Sequence, residues 1–187
     1  MHTVANSDRL KFRLMSSDDE AILWALDQDP LVMKYINGGK ATSREDMRSI
    51  YLPRLIQYTS PAKGLGMWAV STQATNEFIG WILVRPMAFF TDFPKTDNLE
   101  LGWRFKQKVW GKGYATEAAE AVKASFIHPE NSNNQYTVKV FSALALPDNE
   151  ASIKIMRKLG MSYVKTDLYS DPLDDEVMVC YQVERPE

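Results

Sequence analysis

The chain has 187 residues, 45% of them apolar and 11% aromatic, with 22 Lys and Arg against 24 Asp and Glu for a formal net charge of −2. That length predicts one domain over residues 1–187 with a core needing no staples, and the near-neutral balance argues against a general nucleic-acid binder, which carries a basic excess, while leaving room for a local basic site. One cysteine, Cys180, excludes an internal disulfide, and two distant histidines, His2 and His128, argue against a metal site; with no apolar run near the ~20 residues of a membrane span and no signal-peptide stretch at the start, the cytoplasm is the expected compartment.

Leu10 to Leu14 alternates apolar and basic residues, the pattern of a first strand. Ser16-Ser17-Asp18-Asp19-Glu20 is a helix-start signal, and Ala21 to Leu26 continues the helix until Pro30 stops it. Asn37-Gly38-Gly39 reads as a turn. Ser43 with Asp46 resembles a capping box for a helix carrying Met47, Ile50, Tyr51 and Leu55, which Pro53 should kink or restart. Gly66 to Ser71 and Phe78 to Val84 flank a Thr75-Asn76 turn and predict a hairpin. Met87 to Pro94 is an aromatic loop. In the next strand, Leu99, Leu101, Trp103 and Phe105 should face one way and Glu100, Gly102 and Arg104 the other. A helix from Tyr114 to Phe126 presents small residues, Ala115, Ala118 and Ala119, and can approach a sheet closely. A polar loop over 131–135, a strand over 136–146, and a helix from Asn149 ending at Gly160 follow. Met161 to Leu168 and Glu176 to Val183 close the chain as a strand pair around an acidic loop, Asp171 to Asp175.

Two segments carry the chemistry. Lys108-Val109-Trp110-Gly111-Lys112-Gly113-Tyr114-Ala115-Thr116-Glu117-Ala118 joins a strand to a helix. Two glycines at a helix entrance let backbone N–H groups face outward together, a nest that suits anionic oxygens and phosphates above all. The alternative is a tight turn that needs glycine for geometry alone. A P-loop is excluded because Tyr114 follows Gly113, and a dinucleotide fingerprint because Thr116 stands where a third Gly or Ala belongs. In the second segment, Asn149-Glu150-Ala151-Ser152, Asn149 is a natural N-cap. Lys154, Arg157 and Lys158 are a solvated helix face, or, taken with the first segment, cations for one elongated phosphorylated ligand.

Gly111-Lys112-Gly113-Tyr114-Ala115-Thr116-Glu117-Ala118 resembles the acetyl-coenzyme A pyrophosphate loop of the GNAT acetyltransferase superfamily. Asn149-x-x-Ser152 ending in Lys158-Leu159-Gly160-Met161 resembles its later motif, and the combination is most similar to the RimJ/RimL-type branch. The resemblance implies a mixed α/β (α+β) fold: a central, twisted, mostly antiparallel sheet splayed between its fourth and fifth strands, with helices on both faces. It implies acetyl-coenzyme A as cofactor, with no metal. Pantetheine would pair with Trp103, Arg104 and Phe105, and the pyrophosphate would lie on Val109, Trp110, Gly111, Lys112, Gly113, Tyr114 and Ala115. Asn149 and Ser152 would hold the arm near the thioester, and Arg157 or Lys158 would reach the adenosine phosphates. Two positions depart from the pattern: Lys108 stands where Gln or Arg is common, and Met156 where many relatives place a tyrosine acid.

Acetyl transfer needs a neutral amine, hence a proton acceptor. Glu100, an acid between Leu99 and Leu101, is the candidate base, its alternatives being a solvent-facing residue or a partner of Arg104. Ser152 is the remaining candidate to protonate the leaving thiolate, with Tyr163 a weaker one, while Cys180 lies in an apolar run and reads as core. Trp24, Met33, Tyr35, Trp81, Phe89 and Phe90, with Glu100, are candidates for the acceptor pocket, each otherwise a core residue. The acceptor is a protein N-terminus or a small amine, and the protein a monomer or homodimer. The competing reading is a non-catalytic acyl-coenzyme A-binding module.

Overall fold

A computed structural model describes residues 1–127 and 137–186 of the chain. One seven-stranded sheet is built from β1 (Leu10–Leu14), β2 (Gly66–Thr72), β3 (Phe78–Met87), β4 (Lys95–Phe105), β5 (Val140–Ala145), β6 (Ser162–Asp171) and β7 (Asp174–Glu184). Its order is β1-β2-β3-β4-β5-β7-β6. All neighbours run antiparallel except β4 and β5, so the mostly antiparallel sheet implied by the resemblance is found.

Period-two alternation divides the strands between two cores. Trp68, Val70, Ile82, Val84, Leu99, Leu101 and Phe105 face a main core closed by α5 (Tyr114–Ser125) and α6 (Glu150–Lys158). Ala118 and Ala119 are fully buried there, because small side chains let α5 lie close to the sheet. Ala69, Trp81 and Leu83 face a second core under the N-terminal helices. These are α1 (Glu20–Leu26), α2 (Pro30–Asn37), α3 (Arg44–Asp46) and α4 (Leu52–Tyr58). Helices thus cover both faces, as expected.

Ser16 and Asp19 form a capping box over a 3-10 turn that leads into α1. Pro30 does more than end α1. Asp29 caps a new helix by accepting from the Leu31 N–H, and Pro30 takes its first turn, where a missing N–H costs nothing. The kink expected at Pro53 is a π-helical turn, Met47–Tyr51, joining α3 to α4, which makes room for the proline ring and its absent hydrogen bond. The acidic loop is shorter than Asp171 to Asp175. β6 and β7 pair as far as Asp171 and Asp174, leaving only Pro172 and Leu173 to turn. Arg54 in α4 holds this hairpin end by a 2.6 Å ion pair with Asp171. β5 begins at Val140 rather than near residue 136, and the polar loop expected over 131–135 lies outside the described residues.

Candidate active site

The parallel pair is short. Only Asn98, Glu100 and the residue between them lie in register with β5, against Val140 to Ser142. Ser142 pins that end by donating to Asn98 Oδ1 at 2.6 Å in a buried hydrogen bond. Beyond it, β5 stays with β7 through Ala145 and departs from β4, leaving Leu101 to Phe105 without a partner on that side. A cavity of about 690 Å³ fills the opening, with Leu101–Phe105 on one wall and Leu144–Leu146 on the other. Unpaired strand edges present N–H and C=O groups in a row, and an extended amide-bearing chain can complete them.

The cavity runs onto the start of α5. Gly111 and Gly113 hold φ of +74° and +80°, a conformation that disfavours any residue with a Cβ. Gly113 is the N-cap, and no side chain caps the helix. The first-turn N–H groups of this 12-residue helix therefore open on the cavity at Tyr114, Ala115 and Thr116. A Cβ on Gly111 would meet nothing within 4 Å, so the loop borders open space. Trp110 braces it by donating its indole N–H to the Phe105 carbonyl at 2.8 Å. Arg9 fastens it from outside, donating to Glu117 and to the Lys112 carbonyl and lying over the Tyr114 ring. Burial works against the Glu117 anion. Hydrogen bonds from Ser7 and Arg9 outweigh it and hold the carboxyl below its usual range.

Helix α6 supplies the other side. Asn149 Oδ1 accepts from the Ser152 N–H at 3.2 Å, so capping uses the Ser152 backbone and leaves its hydroxyl available. That hydroxyl accepts from the Trp103 indole at 3.3 Å, a bridge across the splay. Lys154 and Lys158 both line the cavity, whereas Arg157 donates to the Tyr181 hydroxyl at 3.3 Å. The reason is helical: Lys154 and Lys158 are one turn apart, and Arg157 sits about 100° round from Lys158. Among the expected cofactor residues, only Lys112 and Arg157 are off the cavity wall. Met156 is fully buried in the main core and Tyr163 is exposed beside Thr166 and Tyr181, so neither faces the opening.

The far side of the cavity is walled by Leu31, Val32, Lys34, Tyr35 and Ile36 of α2, with Trp81 and Arg104. Reading Pro30 only as a stop hides this helix, although Asp29-Pro30 is itself a start signal. Of the residues expected at the acceptor pocket, Tyr35 and Trp81 line the cavity. Trp24, Phe89 and Glu100 are not on the wall. Trp24 packs beneath the Arg44 guanidinium, and Phe89 stacks edge-on with Tyr58 and Phe90. Glu100 is buried and receives two hydrogen bonds from Arg85, at 2.9 and 3.0 Å, one to each oxygen. Its pairing with Arg85 replaces the expected alternative of Arg104, which binds Asp27 at 2.5 Å. Asp27 also accepts from the Thr42 hydroxyl. Burial pushes the Tyr58 hydroxyl beside Arg85 up to about 12, so it keeps its proton. Cys180 is buried.

The unpaired strand edge suits a pantetheine arm, and the uncapped helix start with Lys154 and Lys158 suits a diphosphate, so the residues present fit coenzyme A. A sheet splayed onto such a helix start defines an acyl-coenzyme A-dependent transferase. Comparison with known proteins narrows the class. The family described as "Acetyltransferase (GNAT) domain" matches residues 9–162. YkkB of Bacillus subtilis (strain 168) is 31% identical over 163 residues, 86% of each chain. The FsC-acetyl coenzyme A-N(2)-transacetylase of Aspergillus fumigatus is 28% identical over 96% of this chain and 75% of its own. The crystal structure of a GNAT-family acetyltransferase from Bacillus anthracis superposes with a TM-score of 0.69 and 25% identity, covering 98% of this chain and 99% of that one. The chain belongs to the GNAT acetyltransferase family; it is an N-acetyltransferase with acetyl-coenzyme A as acetyl donor.

Among the described residues, no group of His, Cys, Asp and Glu could hold a metal ion, and no helix is long and apolar enough to cross a membrane.

Proposed function

We propose that residues 1–187 form one catalytic domain of the RimJ/RimL-type branch that acetylates a primary amine by direct attack in a ternary complex. The amine belongs to a protein N-terminus or a small molecule. The observation carrying this reading is that one cavity joins the uncapped start of α5 to a separate wall formed by α2, Trp81 and Arg104. A donor and an acceptor can meet there at the free edge of β4 without a covalent enzyme intermediate.

Acetyl-coenzyme A, when bound, supplies the thioester carbonyl. The first turn of α5, Lys154 and Lys158 hold its phosphates, and the edge from Gly102 to Phe105 and the Asn149 amide hold its arm. A backbone N–H at Trp103 or Arg104 stabilises the negative charge that develops on the carbonyl oxygen. Glu100 receives the amine proton through a water. Asp27 is held by Arg104 and Thr42, and Glu100 by Arg85 through both oxygens; of the two, Glu100 is the one carried on β4, immediately before its free edge. Ser152 donates to the departing sulfur, with the Trp103 indole fixing its oxygen.

Saturating acetyl-coenzyme A should raise the melting temperature, as a native-state ligand must. Thiol release with a panel of amines and N-terminal peptides then separates an enzyme from a binding module. Absence of any shift would remove the assignment, and a shift without thiol release would leave only binding.

A further inference from the structure

The sheet ends on two unlike edges. β1 is five residues long, and a short strand offers little for another chain to pair with. β6, at the other end, is ten residues long, and every residue from Ser162 to Leu168 is exposed. Its side chains are not those of a solvated edge. Val164 is 48% exposed and Leu168 58%, and Val177, opposite Leu168 on β7, is 53% exposed. An apolar group of this kind along an open row of backbone N–H and C=O groups marks a surface for association.

The order of residues says what fits it. Val164-Lys165-Thr166-Asp167-Leu168 reads as its own complement about Thr166. A second β6, antiparallel and related by a two-fold axis through Thr166, sets residue 164 opposite 168, 165 opposite 167 and 166 opposite itself. Valine then meets leucine, lysine meets aspartate and threonine meets threonine, and each is a favourable cross-strand pair. Within one chain Lys165 and Asp167 already form an ion pair at 2.5 Å, and the second strand gives each carboxylate and ammonium another partner. Neighbouring registers are penalised. Moving the axis one residue puts Lys165 opposite Lys165 in one direction and Asp167 opposite Asp167 in the other. The β6–β7 register shifts between Tyr163 and Lys165, so Val164 stands at one limit of the regular stretch.

We propose that β6 is a self-association edge, on which two copies of this chain pair antiparallel across Thr166 and join their sheets into one. Leu168 and Val177 of each copy then lie beside Val164 of the other, and the two Lys165–Asp167 contacts are reciprocal. A joint of one strand pair is small beside a standard protein interface, so the dimer should dissociate in the roughly micromolar range.

Sedimentation velocity on the full chain, at low salt and over about 1 to 200 μM, should show a monomer passing into a dimer. Lys165→Asp and Asp167→Lys each set like charges opposite one another at two symmetric places, and each should weaken self-association at least about tenfold. Mixed in equal amounts, the two variants should form a heterodimer at least as tight as the wild-type dimer, because every crossing is again a pair of opposite charges. The double variant Lys165→Asp with Asp167→Lys should recover the homodimer. Both side chains are exposed, and an unchanged circular dichroism spectrum confirms that each variant is folded. A wild-type chain that stays monomeric throughout overturns the inference. So does a dimer indifferent to both single variants, or a mixture that forms no heterodimer. None of these outcomes bears on the melting shift with acetyl-coenzyme A, which tests the acetyltransferase reading separately.

Discussion

The two halves of the cavity are built by different means. The donor half is made of backbone: two left-handed glycines, the open first turn of α5 and a strand edge deserted by β5. The other half is walled by side chains of α2 with Trp81 and Arg104, the last held by a buried ion pair with Asp27, and a second buried pair, Arg85 with Glu100, lies off the wall. A backbone site depends on conformation and tolerates most changes of side chain. A site of buried charges depends on each partner, because removing one strands the other.

The largest expected effect follows from that dependence. Asp27→Ala leaves the Arg104 guanidinium uncompensated and the Thr42 hydroxyl unpaired, and should cost about 3–5 kcal/mol in denaturant unfolding. Asp27→Ala combined with Arg104→Leu should recover much of that loss. A cost below about 1 kcal/mol for Asp27→Ala would mean that the acceptor half is not held by its charges.

The acid sensitivity should lie at the end of α5 away from the cavity. His2 packs against Phe126 and Trp68, and its Nε2 lies 2.8 Å from Ser125 Oγ at the end of α5. Burial, with the nearby N-terminal ammonium, lowers its pKa from 6.5 to about 4. The unfolded chain therefore binds the proton first. This group costs nothing above pH 6.5, and stability falls as pH drops from there to about 4. His2→Phe should flatten that stretch of the stability–pH curve. An unchanged slope in the variant would place the acid sensitivity elsewhere.

Gly113→Val tests the backbone half directly. Holding a β-branched residue at φ +80° costs about 2 kcal/mol, which either destabilises the fold or relaxes the loop. If the loop relaxes, acetyl-coenzyme A should bind more than about tenfold more weakly, while amine binding to the acceptor half changes little. Equal losses on both sides would erase the distinction between the halves.

The same division explains what the sequence could show. Gly111, Gly113 and Asn149 announce their roles because left-handed turns and helix caps are local and restrict residue type. The alternation of β4 likewise assigns Leu99 and Leu101 to one core and Arg104 to the opposite face. Long-range pairing leaves no such mark. Nothing near Glu100 points to Arg85 on the neighbouring strand, and nothing near Arg104 points to Asp27, 77 positions away. Arg9, which clamps the cofactor loop from 108 positions away at Glu117, is equally silent. Lys154 is an intermediate case: its one-turn spacing from Lys158 was readable, but only the cavity shows which helix face matters. The α2 wall was lost differently, through a proline that both closes one helix and opens the next.

The smallest predicted effect concerns the point where the halves meet. Ser152 is the third residue after its cap, a position often filled for capping alone, yet here Asn149 provides the cap through the Ser152 backbone. The hydroxyl is thus unnecessary for the helix, and its oxygen is turned across the splay by the Trp103 indole, leaving its proton to give. Ser152→Ala should leave stability within about 0.5 kcal/mol and acetyl-coenzyme A affinity nearly unchanged. It should lower kcat about tenfold, the loss of roughly 1.4 kcal/mol of transition-state stabilisation. Trp103→Phe should reproduce part of that loss, since the hydroxyl would remain without the donor that orients it. A Ser152→Ala enzyme with full kcat, measured where thiol release is limited by chemistry, would reduce Ser152 to a lining residue and return the departing thiolate to solvent.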